Sequence, residues 1–183
     1  SVRFIAFAVN IFQIQKWFKM KDLDIEKLKQ NASGNKRENK ELFKKLRKMR
    51  PSDLDEKIHS LHHKYMEAID CLECGNCCKS ISPAVKDSDI SRLSKYLKTK
   101  PSVLAETYFL LDEEGDYVFK TQPCPFIGKD NYCSVYTARP RACREYPHTD
   151  RVKIHQILNI TFQNISVCPI VYEIVQELKR DYS

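Results

Sequence analysis

The sequence predicts a mainly α-helical chain with a small β-hairpin and an irregular, cysteine-rich core. Three observations carry that prediction. Apolar residues recur at spacings of three and four through much of the first hundred positions, the mark of helices that bury one face. Strand character is confined to Tyr117-Val118-Phe119, just after the turn residues Glu113-Glu114-Gly115-Asp116. Eight cysteines, at 71, 74, 77, 78, 124, 133, 143 and 168, lie mostly in segments without such periodicity. The 183 residues suit one domain with an appendage, and four glycines with 30% charged residues exclude a fibrous or low-complexity chain.

At the start, Phe4 to Phe12 is apolar but broken by Asn10, and too short to span a bilayer. It also makes a poor signal peptide, because Ala6-Phe7-Ala8 lies inside the run rather than after it. Two readings stay open: Met20 begins the natural chain and residues 1–19 are upstream or foreign sequence, or those residues form an apolar helix docked on the body. Neither indicates export, so no transmembrane segment and a cytoplasmic location are expected.

From Asp24 to Lys48 strong helix formers carry Ile25, Leu28, Leu42, Phe43, Leu46 and Met49, interrupted at 31–35, which predicts two helices or one weakened at Gly34. Arg50-Pro51 stops them, and Ser52 can cap a helix with Leu54, Ile58, Leu61, Tyr65 and Ile69 on one face, running into Cys71. Asp87-Ser88-Asp89 precedes a capped amphipathic helix with Ile90, Leu93, Tyr96 and Leu97, and Pro101-Ser102 starts a short one with Leu104, Ala105 and Tyr108. A second turn at Gly128-Lys129-Asp130-Asn131 places the hairpin between Tyr117 and Cys133. A last helix follows Cys168-Pro169. The chain divides into an N-terminal helical, basic region, residues 1–70, and a cysteine-rich region, residues 71–183. The first holds sixteen basic against ten acidic side chains and therefore most of the net charge of +7.

An even number of cysteines invites a disulfide reading, but such scaffolds belong to small exported chains with too little core. Neighbouring Cys77 and Cys78 also cannot bridge each other without a strained backbone. Metal ligation fits better, because two residues between cysteines let one tight loop aim both sulfurs at a common centre. Cys71, Cys74 and Cys77 form a C-x2-C-x2-C run similar to the face that bacterial ferredoxins offer to a cubane cluster, whose remaining ligand is a cysteine followed by proline. Cys124-Pro125 and Cys168-Pro169 both have that form. The core is thus expected to be metal-stabilised, with an iron-sulfur cluster, 4Fe-4S favoured, or one or two Zn2+ as the alternative. Eight thiolates allow two four-coordinate centres, one cluster plus a zinc, or one cluster with four structural or redox cysteines. His59, His62 and His63 read as surface or packing residues, and His148 as the best auxiliary ligand, though more simply a loop residue.

The order Cys71-Leu-Glu-Cys74-Gly75-Asn-Cys77-Cys78, Cys124-Pro125-Phe126, and Cys133 through Tyr136, Arg139-Pro140, Cys143-Arg144 and Tyr146-Pro147 closely resembles the YkgJ-like cysteine-cluster family of zinc- or iron-chelating domains. The resemblance spans about Cys71 to Pro147, with Cys168-Pro169 as an extension. It implies that all eight cysteines are metal ligands. A similar motif occurs in flagellin lysine methylases of the FliB type, where it is associated with a 4Fe-4S cluster. This chain shows no recognisable methyltransferase segment, so the resemblance supports the metal site and not methylation. Beside the motif, Gly75 can supply a positive φ in the ligand loop. Arg139 and Arg144 can offset thiolate charge as neighbours of the cofactor, or else cap helices and pair with carboxylates such as Asp89. Arg141 reads as structural.

No catalytic triad, carboxylate pair or phosphate-cradling glycine loop is present, which argues against an ordinary hydrolase or nucleotide enzyme. The expected function is a non-catalytic metal or cluster protein acting as carrier, sensor or adaptor, with a protein partner. One alternative is a metal- or cluster-dependent redox or modifying enzyme. Another is an accessory factor binding RNA, the ribosome or a protein through residues 36–50, where eight basic side chains face two acidic ones. The plainer reading of that stretch is a solvated helix face with Leu42, Phe43 and Leu46 docked on the core.

Overall fold

The computed structural model describes residues 24–182, so the apolar stretch Phe4–Phe12 and Met20 lie outside the described residues. In chain order the helices are α1 (Ile25–Gly34), α2 (Lys36–Leu46), α3 (Pro51–Met66), α4 (Cys71–Cys74), α5 (Asn76–Ser80), α6 (Asp87–Tyr96), α7 (Pro101–Tyr108), α8 (Arg141–Glu145), α9 (Leu158–Asn164) and α10 (Pro169–Tyr182). Strands β1 (Phe109–Leu111) and β2 (Tyr117–Phe119) form the antiparallel hairpin, and short 3-10 turns cover Tyr136–Ala138 and Ile154–Ile157. The chain is mainly α with a small hairpin, as its periodicity predicts.

The Asp24 carboxylate accepts the Lys27 amide and opens α1, and the run breaks at Asn35 rather than continuing as one helix. The apolar stripe of α2 is buried through Leu42, Phe43 and Leu46. On its polar side Lys45 donates to the Tyr182 carbonyl and Arg47 to the Asn159 side chain. α3 starts at Pro51, one residue ahead of the expected Ser52 cap, because proline's fixed φ and missing N–H suit a first helical position. It ends at Met66, so Ile69 packs from a turn and a short connector leads to Cys71.

α3 packs along α10, and their inward residues build the first core: Leu54, Ile58, Leu61 and Tyr65 against Ile170, Ile174, Val175 and Leu178. The Tyr65 hydroxyl donates to Glu177, which also pairs with Lys64. Ile154 and Leu158 plug the end of this core, held there because Asp55 accepts the amides of Lys153 and Ile154 at 2.6 and 2.9 Å.

The second core is smaller and aromatic. Ile90 and Leu93 of α6 and Leu104 of α7 meet Phe109, Phe119 and Phe126, with ring centroids 4.9 Å apart for Phe109 and Phe119 and 5.9 Å for Phe119 and Phe126. The hairpin lies upstream of its expected place. β2 pairs backwards with β1, Phe109 opposite Phe119 and Leu111 opposite Tyr117, across the turn at 112–116, where Gly115 has φ +81°. Downstream pairing fails because Pro123 and Pro125 have no N–H to offer a ladder and the Cys124 amide is committed to the Cys78 carbonyl. One isolated bridge, Ile127 to Cys133, spans the Gly128–Asn131 turn instead.

Candidate metal centre

The CLECGNCC segment lies between the two cores as two helical turns at an angle. The Asp70 carboxylate accepts the Leu72 amide at 2.7 Å and starts α4. Gly75 then takes φ +56°, the left-handed conformation that ends α4 and lets α5 begin at once. A Cβ there would meet Asn131 Cβ at 3.0 Å and Ile127 Cδ1 at 3.1 Å, so glycine is needed for space as well as for φ. Asn131 donates to the Glu73 carbonyl at 2.8 Å and presses the 128–131 turn onto the motif. Cys71 and Cys74, three apart on α4, share a side. Cys77 and Cys78 are successive residues of α5 and diverge by about 100° around its axis. Their sulfurs are 4.0 Å apart.

The four distant cysteines arrive from two directions. Asn76 donates its side-chain N–H to the Val167 carbonyl at 2.7 Å and holds α5 against the turn that leads into Cys168, the residue ahead of α10. Cys168 belongs to the first core. On the other side the Cys124 amide donates to the Cys78 carbonyl at 2.8 Å, the bridge from Ile127 places Cys133, and both thiols pack against the second core. Cys143 rides on α8, whose first amide, Arg141 N–H, is accepted by buried Asp89 at 3.0 Å, while Arg92 pairs with the same carboxylate at 2.5 Å.

All eight cysteines are free thiols. Six of them, Cys71, Cys77, Cys78, Cys124, Cys133 and Cys143, line one largely apolar cavity of about 210 Å3. Cys74, with Cys71, faces an adjoining cavity of about 700 Å3. Cys168 is buried on the bundle side. Among the described residues no three Cys, His, Asp or Glu side chains converge at the distances of a single ion, so holding one requires the thiols to turn inward.

Burial raises the thiol pKa values, to about 12 for Cys168 and Cys143 and about 11 for Cys124, and neighbouring thiols add to it. Cys71, Cys74 and Cys133 are raised by burial too. Cys78 is lowered by the hydrogen bond from Cys77, against burial, with Arg139 and Lys79 adding positive charge, and Cys77 is raised in turn. Arg139 lies with its guanidinium carbon 3.5 Å from the Tyr136 ring centroid, donates Nε–H to the Tyr136 carbonyl, and its charge reaches Cys71, Cys78, Cys133 and Cys143. Arg144 lines the 210 Å3 cavity, and Arg141 pairs with Glu145 at 2.5 Å. The partner of Asp89 is Arg92 rather than Arg139 or Arg144.

The histidines stand apart from the sulfurs. His62 shares a 2.8 Å hydrogen bond with Thr149, His59 reaches the Arg151 carbonyl, and His148 packs edge-on to Tyr146. Tyr146 itself carries a site feature that its place in the sequence did not assign. Its hydroxyl is buried among Cys168, Cys77 and Cys74, without a well-formed hydrogen bond among the described residues. The donor set suits a thiolate-bound group on these grounds: eight free sulfurs, a facing arginine, and a buried O–H pointing at sulfur. Asn76 and Asp89 were also legible only as polar letters, since nothing in the sequence says that Val167 or α8 is their partner.

Residues 70–168 match the family model described as "CxxCxxCC: Putative zinc- or iron-chelating domain". The chain belongs to that family. The match covers more than half of the chain and includes all eight cysteines. No curated protein and no solved structure matches the chain. No single helix among the described residues is long and apolar enough to cross a membrane.

Proposed function

We propose that the protein is a non-catalytic carrier, sensor or adaptor that holds an iron-sulfur centre, 4Fe-4S in type, through its cysteine thiolates. The observation that carries this reading is that six free thiols from separate segments line one cavity, where burial and mutual proximity disfavour the thiolate unless a cation compensates it. A cluster is preferred to zinc because Cys71, Cys74 and Cys77 have the C-x2-C-x2-C spacing of a cubane face and Cys168-Pro169 and Cys124-Pro125 have the form of its remaining ligand. When bound, the cluster supplies a one-electron couple or a structural brace. The chain's own residues deliver the sulfurs, balance their charge through Arg139, and exclude water with Phe119 and Phe126.

Anaerobic purification with iron, zinc and labile-sulfide analysis and a visible spectrum tests this reading. A brown protein with matched iron and sulfide is the expected result. A colourless protein with stoichiometric zinc and no sulfide would replace the cluster by zinc, and a chain that takes up neither, even on reconstitution, would overturn metal binding. Cys74→Ser is expected to lower metal content and folding together.

A further inference from the structure

We infer that the eight cysteines form two separate four-thiolate centres: Cys71, Cys74, Cys77 and Cys168 hold one, and Cys78, Cys124, Cys133 and Cys143 hold the other, with the Cys77–Cys78 peptide as the wall between them. The inference rests on the thiolate reading above and adds its stoichiometry and ligand sets.

The division follows from the placement of α5. Successive residues of a helix point about 100° apart, so Cys77 and Cys78 leave α5 in different directions, although both border the 210 Å3 cavity. The Asn76 hydrogen bond to the Val167 carbonyl sets one side against the segment bearing Cys168, in the first core. The Cys124 hydrogen bond to the Cys78 carbonyl sets the other against the loop bearing Cys124 and Cys133, in the second core. Asp89, a residue of α6, holds the start of α8 and so places Cys143 on that second side. The electrostatic neighbours agree. Cys71 and Cys74 act on Cys168 and Cys168 acts on Cys77, while Cys143 neighbours Cys78, Cys124 and Cys133. Cys78 also stands near Cys71 and Cys74 because the motif is compact, and its sulfur is 4.0 Å from that of Cys77. What assigns it is the Cys124 amide donating to the Cys78 carbonyl at 2.8 Å, which ties Cys78 directly to the loop that carries Cys124 and Cys133.

The two sets also differ in what surrounds them. The first combines the C-x2-C-x2-C face with Cys168-Pro169, where Pro169 is the first residue of α10, and it has the Tyr146 hydroxyl directed at Cys168, Cys77 and Cys74. The second draws its sulfurs from four separated positions and contributes all four of its cysteines to the lining of the 210 Å3 cavity, against Cys71 and Cys77 from the first, while Arg139 reaches Cys78, Cys133 and Cys143 of the second and Cys71 of the first. Cys124-Pro125, the other cysteine-proline pair, thus serves the second set.

The full chain, stripped of metal under anaerobic conditions, is titrated with Co2+ alone, and in parallel reconstituted with ferrous iron and sulfide. Wild type is expected to take up about two equivalents of cobalt in four-thiolate coordination, seen as sulfur-to-cobalt charge transfer. Cys168→Ser and Cys133→Ser are each expected to lose about half of the bound metal. A double variant within one set, Cys74→Ser with Cys168→Ser, should lose no more than either alone, whereas Cys168→Ser with Cys133→Ser should lose nearly all of it. One equivalent in wild type, or equal loss in same-set and cross-set doubles, would overturn the division while leaving metal binding intact. No uptake of cobalt or iron by wild type would overturn both. The wild-type stoichiometry decides the question even if the variants fail to fold.

Discussion

The two cores of this protein are built by different means. The first gathers eighteen buried apolar side chains among the described residues, most of them from helices α1, α2, α3, α9 and α10 on both sides of residue 70. The second gathers nine, from two helices, a hairpin of two three-residue strands and loops, and relies on polar anchors such as Asp89 and on the thiols that border it. The first therefore buries about twice as many apolar side chains as the second. Cys124 and Cys133 pack against that smaller core, whereas Cys168 belongs to the larger one.

Removal of metal is the strongest way to test that contrast. A structural metal contributes on the order of 10 kcal/mol of apparent folding free energy, and the loss is expected to fall on the second core. Hydrogen exchange after chelation should show β1, β2 and α8 unprotected while α3 and α10 stay protected. Equal loss in both regions would mean that they fold as one unit. Next in size, Leu54→Ala and Ile174→Ala, both fully buried in the first core, should each cost about 2–5 kcal/mol in denaturant unfolding. Metal per folded molecule should not change, since neither residue lines the cavities that the cysteines border; a fall in metal content would show that the cores are coupled.

Asp89 tests the polar support of the second region. Asp89→Asn should cost about 2–3 kcal/mol, because Arg92 loses its charged partner and α8 a charged acceptor, and it should reduce metal retention through Cys143. Burial works to raise the Asp89 pKa, but Arg92 and the amides of Lys86 and Arg141 together hold it below the ordinary carboxylate value. Because the folded value is the lower one, this stability is fully present above about pH 4 and is lost as pH falls through the folded pKa. An acid titration of wild type against Asp89→Asn should show the difference vanish at low pH; a constant difference would remove Asp89 from the account. The smallest expected effect is Gly75→Ala, about 1–2 kcal/mol for a side chain forced into the left-handed region, plus the displacement of Asn131 and Ile127. Thermal unfolding measures it, and an unchanged midpoint would show that the loop tolerates a Cβ.

Local signals in the sequence were reliable where the structure is itself local. Helix periodicity placed α1, α2, α6, α7 and α10, and the turn at 113–116 marked one end of β2. The Ser52 cap, the hairpin partner and the short helices α8 and α9 were not legible in the same way. Pro51 competes with Ser52 within one residue, strand pairing depends on which amides the Cys78 carbonyl and other distant groups engage, and α8 is five residues long with no buried face of its own. Leu158, Thr161 and Ile165 carry a helical spacing that could have shown α9.

The sequence by itself determined the chemistry: eight thiols, the C-x2-C-x2-C run, two cysteine-proline pairs and a family that the matched residues confirm. Spacing suffices for that, because a ligand loop is short and its geometry is encoded by neighbours. Only the tertiary structure decided which distant cysteine meets which part of the motif. Asn76 finds Val167 and Cys124 finds Cys78 through hydrogen bonds that close loops of 91 and 46 residues, and no local pattern specifies a partner at that distance.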